Sequence, residues 1–344
     1  MFTELIDSQY ITVVLQGPTC RGNGDAETDL GLKAIQSIRT YLPNAEIIVS
    51  TWQADSVEGF GECVVIRSQD PGGMPDINGL TNNINRQLVS TLAGVKRASR
   101  PYVLKLRADH YLIGNRVATI ATYPEQQLTE YRLFTRPITM SNLYIRKATK
   151  YPFLFHLSDI VQFGTKEDML LLWDGDIFKR EEVFLPPNRK NSSWGNFAGP
   201  TNLMHVPEQS LMLRLLRKNG LFIHQPYLSY TTKANLVLWE RILVTNFCVL
   251  NWQDSGVKFP ERFTNVTYVQ PTIYTEQDIA QIRESMIQGT YDPNYVSILL
   301  NKYIFSLFNL NAFVPLMASL LFKASPRLAF FVRGIWKRVM GTAR

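Results

Sequence analysis

The stretch Lys105-Leu106-Arg107-Ala108-Asp109-His110 sets two cations and a carboxylate at alternate positions. Along an extended strand alternate residues share a face, so Lys105, Arg107 and Asp109 point one way. An acid at the exit of a central parallel strand sits where a metal-bound diphosphate would lie, or else it caps the next turn or pairs with Arg107. Asn83, Arg86, Gln87 and Ser90 fall at i, i+3, i+4 and i+7 and so line one face of a helix. A solvated face usually alternates Glu and Lys. This one holds amides, a hydroxyl and a single Arg, whose fork near a helix N-terminus suits phosphate; a polar surface stripe is the other reading. Gln16-Gly17-Pro18 breaks a β-branched run, and its backbone could approach a flat ligand while Gln16 bonds a base edge; an ordinary turn would look the same. Asp159 lies in the apolar stretch His156 to Gly164, where a carboxylate needs a partner or a task. Glu208 follows Pro207 at a helix start, where an acid also simply favours the helix dipole. His156, His205 and His224 have no metal-ligand spacing and suit structural roles.

Strands and helices must bring these groups together. Ile11 to Leu15, Glu46 to Thr51, Cys63 to Arg67 and Tyr102 to Arg107 read as strands. Thr28 to Leu42 and Asn83 to Ala98 carry helical apolar spacing, and a loop runs from Ser68 to Gly79. This alternation predicts an α/β fold, a Rossmann-like, mostly parallel sheet flanked by helices. Right-handed crossovers then place the strand C-termini, with Gln16 and Asp109, on the edge where such sheets bind ligands. Further on, Phe155 to Phe163 reads as extended and Lys166 to Trp173 as a short helix. Phe184 to Val206 reads as a loop long enough to have a function, and Pro207 to Asn219 as a helix with Pro in its first turn and Gly220 stopping it.

The chain has 344 residues and a net charge of +7, but from Asn301 to Arg344 it carries seven basic residues and no acid. Residues 1–300 are therefore net neutral, and nothing here suggests a nucleic-acid-binding body. Three cysteines without a CxxC pair argue against zinc and suit a reducing compartment. Asn191-Ser192-Ser193 and Asn265-Val266-Thr267 match a glycosylation sequon, but the opening MFTELIDSQY lacks the basic region of a signal peptide. Tyr303 to Phe322 is free of charge, yet Ser306, Asn309, Asn311, Pro315 and Ser319 interrupt it, which favours an interfacial or packed hairpin over a bilayer span. From Arg327 to Met340, Leu328, Val332, Ile335, Trp336 and Val339 gather on one side of a helix, and Arg327, Arg333, Lys337 and Arg338 on the other. A basic amphipathic helix of this kind suits an anionic membrane surface.

The runs Val13 to Pro18, Ser50-Thr51-Trp52, Asn85-Arg86-Gln87 with Ser90-Thr91, Leu104 to Asp109 and Asp159 to Asp168 occur together and in order. In them the chain, over roughly residues 10–220, resembles the WavE-type family of lipopolysaccharide synthesis proteins, which are similar to GT-A glycosyltransferases. The resemblance implies a GT-A-like catalytic domain, taken over 1–290; the tail over 291–344 lies outside the match and is read from its own basic amphipathic pattern as helical and membrane-associated. The resemblance also implies transfer from a nucleotide sugar, a UDP-sugar being favoured, to a lipid-linked oligosaccharide, lipopolysaccharide or capsular polysaccharide acceptor at the cytoplasmic face of the inner membrane. Gln16, Gly17, Pro18, Asn83, Arg86, Gln87, Arg107 and Asp109 would hold the donor, and Asp159 and Glu208 compete as the base. An Asp-x-Asp motif would bind Mg²⁺ or Mn²⁺. Here Arg107 replaces its first acid and only Asp109 remains as a metal ligand, so Arg107 could do part of a cation's work. Two other classes stay in play. One is a nucleotide-sugar or glycan-binding protein without turnover. The other is a sugar nucleotidyltransferase, echoed faintly by Arg21, Gly22 and Gly24.

Overall fold

The computed structural model describes residues 2–21, 29–77, 79, 81–123, 129–186, 191, 194–195, 197, 201–264, 272–308 and 310–339. Gly22, Gly24, Thr28, Ser192, Ser193, residues 265–267 and Met340, on which some expectations fall, lie outside them. The first half runs β1 (Phe2–Leu5), β2 (Ile11–Gln16), α1 (Leu30–Tyr41), β3 (Glu46–Trp52), β4 (Val64–Ser68), β5 (Met74–Pro75), β6 (Thr81–Asn82), α2 (Ile84–Arg97), β7 (Tyr102–Arg107), β8 (Tyr111–Leu112) and β9 (Thr119–Thr122). Then come β10 (Ile138–Ser141), β11 (Val161–Thr165), α3 (Lys166–Trp173), α4 (Arg180–Val183), α5 (Pro207–Lys218), α6 (Lys233–Asn246), β12 (Phe247–Leu250), β13 (Val257–Lys258), α7 (Glu261–Thr264), α8 (Glu276–Ile287), α9 (Tyr295–Tyr303), α10 (Leu310–Ala324) and α11 (Pro326–Val339).

Seven strands make the central sheet, in the order β12-β10-β11-β7-β2-β3-β4. Only β11 runs against its neighbours; every other pair is parallel. A parallel strand is covered on both faces, which explains the unbroken β-branched run of β2. Successive residues there enter opposite cores: Val14 joins Ile48, Leu88 and Val95, while Val13 and Leu15 join Ile35 and Ile38. The mixed α/β layering expected from the sequence is therefore present. The chain leaves β2 towards β3 on one side and returns as β7 on the other, so a crevice opens between their C-terminal ends.

Local capping sets the helix starts. The Asp29 carboxylate accepts from the Leu32 amide at 2.9 Å, and Asn82 Oδ1 accepts from the Ile84 amide at 2.9 Å, so α2 begins one residue after Asn83. At α3 the Asp168 carboxylate accepts from the Thr165 hydroxyl (2.8 Å), from the Thr135 amide and hydroxyl (2.7 and 2.6 Å) and from the Arg136 amide (3.0 Å). It thus ties the helix to the segment entering β10. The expectation of an extended run from Phe155 is corrected. Only Val161–Thr165 forms a strand, because Phe155 takes a left-handed backbone with φ of 59° that no strand can hold.

Beyond α9 the uncharged stretch folds as a short 3₁₀ turn, Phe305–Phe308, and then α10, which packs on α11 with the Phe322 and Phe330 rings 5.7 Å apart. No helix among the described residues is long and apolar enough to cross a membrane. Much of the apolar surface of this hairpin stays open to solvent: Phe308 is 84% exposed and Phe331 66%, with Leu328, Val332 and Ile335 also exposed.

Candidate functional site

The C-terminal ends of β2, β3 and β7 and the start of α2 surround a cleft of about 470 Å³. Gln16, Gly17, Pro18, Asn83, Arg86, Gln87, Arg107 and Asp109, the residues expected at the donor, all line it. Gly17 makes the turn possible: its φ of 105° is open to glycine and strained for other residues. The turn is held on both sides, by the Gly17 amide on the Ser50 carbonyl (3.1 Å) and the Ala108 amide on the Gln16 carbonyl (3.0 Å).

Several of these side chains already have partners within the protein. The Gln16 amide nitrogen donates to the buried Ser90 hydroxyl at 2.8 Å, so that nitrogen braces β2 against α2 instead of facing a base. Ser90 accordingly points inward rather than along a solvated stripe. Arg86 is held by Asp70 through two hydrogen bonds of 2.8 and 2.7 Å, and its free fork is thereby occupied. Asp70 comes from the loop after β4, Trp52 and Asp55 from the end of β3, and Arg262 from α7; all four line the cleft without having been expected there. Asp55 folds back to accept from the Thr51 hydroxyl and the Trp52 amide, a short-range turn that the sequence could have suggested. Arg262 lies 153 residues from Asp109 and gave no local signal.

Asp109 is the hub. Its carboxylate takes Arg107 through two hydrogen bonds (3.1 and 3.0 Å), His110 Nδ1 at 2.6 Å, and Arg262. Burial pushes the carboxyl pKa up, but the bonds from His110 and Arg107 outweigh it and hold the group well below the ordinary carboxylate range. Burial likewise lowers the pKa of His110, against the pull of Asp109. The guanidiniums of Arg107 and Arg262 both sit over the Phe263 ring, at 5.3 and 4.9 Å from its centre. Two arginines against one carboxylate leave this corner with one positive charge. The donor set does not suit a divalent cation. Both oxygens of Asp109 are engaged by cations, and the described residues hold no cluster of three or more His, Cys, Asp or Glu able to bind a metal.

Asp159 and Glu208 do not line this cleft; they cluster near Lys105, Asp159 buried and Glu208 partly exposed. Lys105, fully buried, donates to the Asp159 carbonyl and sits 5.1 Å over the Trp173 ring. Burial lowers its pKa to about 8, although the Asp159 charge supports the ammonium. Asp159 Oδ2 is buried and has no hydrogen-bond partner among the described residues. Burial, and then the charge on Asp159, raise the pKa of Glu208. Glu208 Oε2 lies 3.8 Å from His156 Nε2, and burial, helped by Arg146, lowers the His156 pKa to about 3. The backbone around this cluster is strained: Tyr144 and Phe155 both have positive φ, at 72° and 59°. Strain and an unpaired carboxylate oxygen mark positions that the fold holds at a cost. His205, by contrast, is a structural residue, its Nε2 2.6 Å from the Gln225 carbonyl.

Fold and cleft define a layered α/β protein whose polar pocket sits at a topological switch point, bordered by arginines and backed by carboxyl groups. Within that class, the chain belongs to the WavE lipopolysaccharide synthesis family, whose model matches residues 11–309. A comparison with curated proteins finds no match. The family places the chain in lipopolysaccharide synthesis.

Proposed function

We propose that this protein is a glycosyltransferase on a GT-A-like fold, moving a sugar from a nucleotide donor, a UDP-sugar being favoured, to a lipopolysaccharide or related polysaccharide acceptor. One observation carries the reading: the Arg107–Asp109–Arg262 corner and the Asp159–Glu208 pair meet at the exit of β7, cations towards the cleft and carboxyls behind. Glycosyl transfer needs that division. The leaving diphosphate gains charge, which preorganised guanidiniums stabilise. Meanwhile the acceptor hydroxyl must lose a proton. In a single displacement the acceptor oxygen bonds to the anomeric carbon, the bond to the diphosphate breaks with its electron pair, and a carboxylate takes the proton. Burial and the charge on Asp159 raise the pKa of Glu208 and so favour its acid form, which makes Asp159 the preferred candidate for the proton acceptor. Arg107 and Arg262, set by Asp109, take the place of a divalent cation at the diphosphate. The exposed apolar surface and acid-free sequence of the tail support docking on the cytoplasmic face of the inner membrane.

Purified protein is screened for thermal stabilisation by a panel of nucleotide sugars, with and without Mg²⁺ or Mn²⁺, and then for release of the nucleoside diphosphate. A donor in the panel raises the melting temperature and is turned over, and Asp109→Ala loses both effects. Normal turnover by a folded Asp109→Ala protein overturns the site. The occupied oxygens of Asp109 also fit a binding protein without chemistry; donor binding with no release, across every acceptor preparation, decides for that reading.

A further inference from the structure

Away from the cleft, a second pocket of about 350 Å³ is lined by Trp194, Tyr227, Ser229, Lys302 and Tyr303. Its walls are aromatic and partly open: Trp194 is 55% exposed and Tyr303 37%. Its parts are fixed. The Trp194 indole donates to the Tyr303 carbonyl at 2.8 Å, which holds the ring against the end of α9. Gly195, at φ 67°, packs so close that a Cβ there would stand 2.8 Å from Lys302 Cε and 3.0 Å from Tyr303 Cε1. Any larger residue would lift the Trp194 turn off α9.

Lys302 is only 3% exposed, yet its ammonium borders this pocket. It donates to the Ser229 carbonyl at 2.5 Å and lies 5.1 Å from the Tyr303 ring centre. An ammonium has three protons to donate, and no carboxylate answers this one among the described residues. Burial alone lowers its pKa to about 8, which keeps the charge at neutral pH. A buried cation without a counter-ion calls for one from outside.

The pocket is coupled to the carboxyl cluster. Gln209, the residue after Glu208, donates to the carbonyls of Leu228 and Leu154, at 2.9 and 2.8 Å. Leu228 stands between Tyr227 and Ser229 in the pocket wall, and Leu154 precedes the His156 segment. The pocket therefore flanks the helix start that carries Glu208, and it shares no lining residue with the cleft.

We propose that this aromatic pocket is an acceptor subsite for an acidic sugar, a carboxylated or phosphorylated pyranose whose apolar face stacks on Trp194 and Tyr303 and whose anion pairs with Lys302. The assignment rests on the glycosyltransferase reading for its place in the reaction, but not for binding itself. Directly after Tyr303 the exposed apolar residues of the tail begin, with Ile304 and Phe305, so a lipid-linked glycan would meet the pocket near its lipid end.

The test is saturation-transfer NMR and calorimetry on the full chain with trigalacturonate and glucose 6-phosphate. Maltotriose, inorganic phosphate and phosphatidylglycerol vesicles serve as controls. Trigalacturonate is expected to bind at least about tenfold more tightly than maltotriose, the usual worth of a charge-assisted hydrogen bond. Lys302→Met abolishes the preference. Trp194→Ala, at an exposed position that does not endanger folding, weakens both saccharides. Stabilisation by the donor is unchanged in both variants. Equal binding of acidic and neutral sugars, no saccharide binding, or loss of vesicle binding in Lys302→Met with saccharide binding intact would each overturn the subsite. If donor binding stands while saccharide binding fails, only this subsite falls; if no donor binds while trigalacturonate does, the transferase reading falls and the pocket remains.

Discussion

Asp109 and Asp159 do opposite work although both are buried carboxylates at the end of β7. Asp109 is saturated by cations and acts as a fixed anchor, whereas Asp159 keeps an oxygen without a partner among the described residues. Glu208 is the third member, and burial, then the charge on Asp159, raise its pKa and favour its acid form. The two candidate bases then differ sharply on substitution. Asp159→Asn, which removes the proton acceptor, lowers kcat by about 10²- to 10⁴-fold, the usual range for a lost general base. Glu208→Gln mimics the acid already present and keeps activity within about tenfold of the parent, since it leaves the proton acceptor in place. Initial-rate kinetics on both variants check this, and the reverse order of severity would move the base to Glu208.

At the scale of elements, α6 is tied to the segment before α8 by a buried pair, with the Tyr274 hydroxyl donating to Glu240 Oε1 at 2.6 Å while Glu240 Oε2 stays unpartnered among the described residues. Burial raises the Glu240 pKa to about 7, against the Tyr274 bond that lowers it. A carboxyl with a raised folded pKa binds its proton more tightly folded than unfolded. Stability from this group is full below its ordinary pKa of 4.5 and is lost as pH rises to about 7. Glu240→Gln removes that part of the pH dependence, so melting curves of parent and variant converge at acid pH and separate towards neutral, the variant melting higher. The elements themselves were partly legible. β2, β3, β7 and α3 declared themselves because parallel strands and short helices write their patterns locally, in runs such as Ile11–Leu15 and Lys166–Trp173. β10, β12, α6 and α8 were missed, since their apolar positions are set by the core they enter and not by a period of their own. The cleft was legible at Gln16 to Pro18 and at Asp109 because strand ends are local; Asp70 and Arg262 reach it only through tertiary folding.

For the whole molecule, charge and hydropathy are divided by region. Residues 1–300 are net neutral, and the seven excess cations fall in the segment whose helices α10 and α11 show exposed Phe331, Leu328, Val332 and Ile335. Trp336, Lys337, Arg338 and Val339 lie on α11, but their side chains are outside the described positions. The full chain is expected to sediment with vesicles containing phosphatidylglycerol, less so as salt rises, and hardly at all with pure phosphatidylcholine. Phe331→Asp with Ile335→Asp abolishes sedimentation while leaving donor release unchanged. Retention of vesicle binding by that double variant would place the contact elsewhere.

Arg262 and Asp109 are separated by 153 residues, and β13 reaches the neighbourhood only by pairing with β8. During synthesis, then, β2, β3, β4 and β7 can pair long before α7 emerges, and the Asp109 corner stays half built until it does. A ribosome-bound chain that has not yet delivered α7 still lacks Arg262, one of the two guanidiniums that close on Asp109.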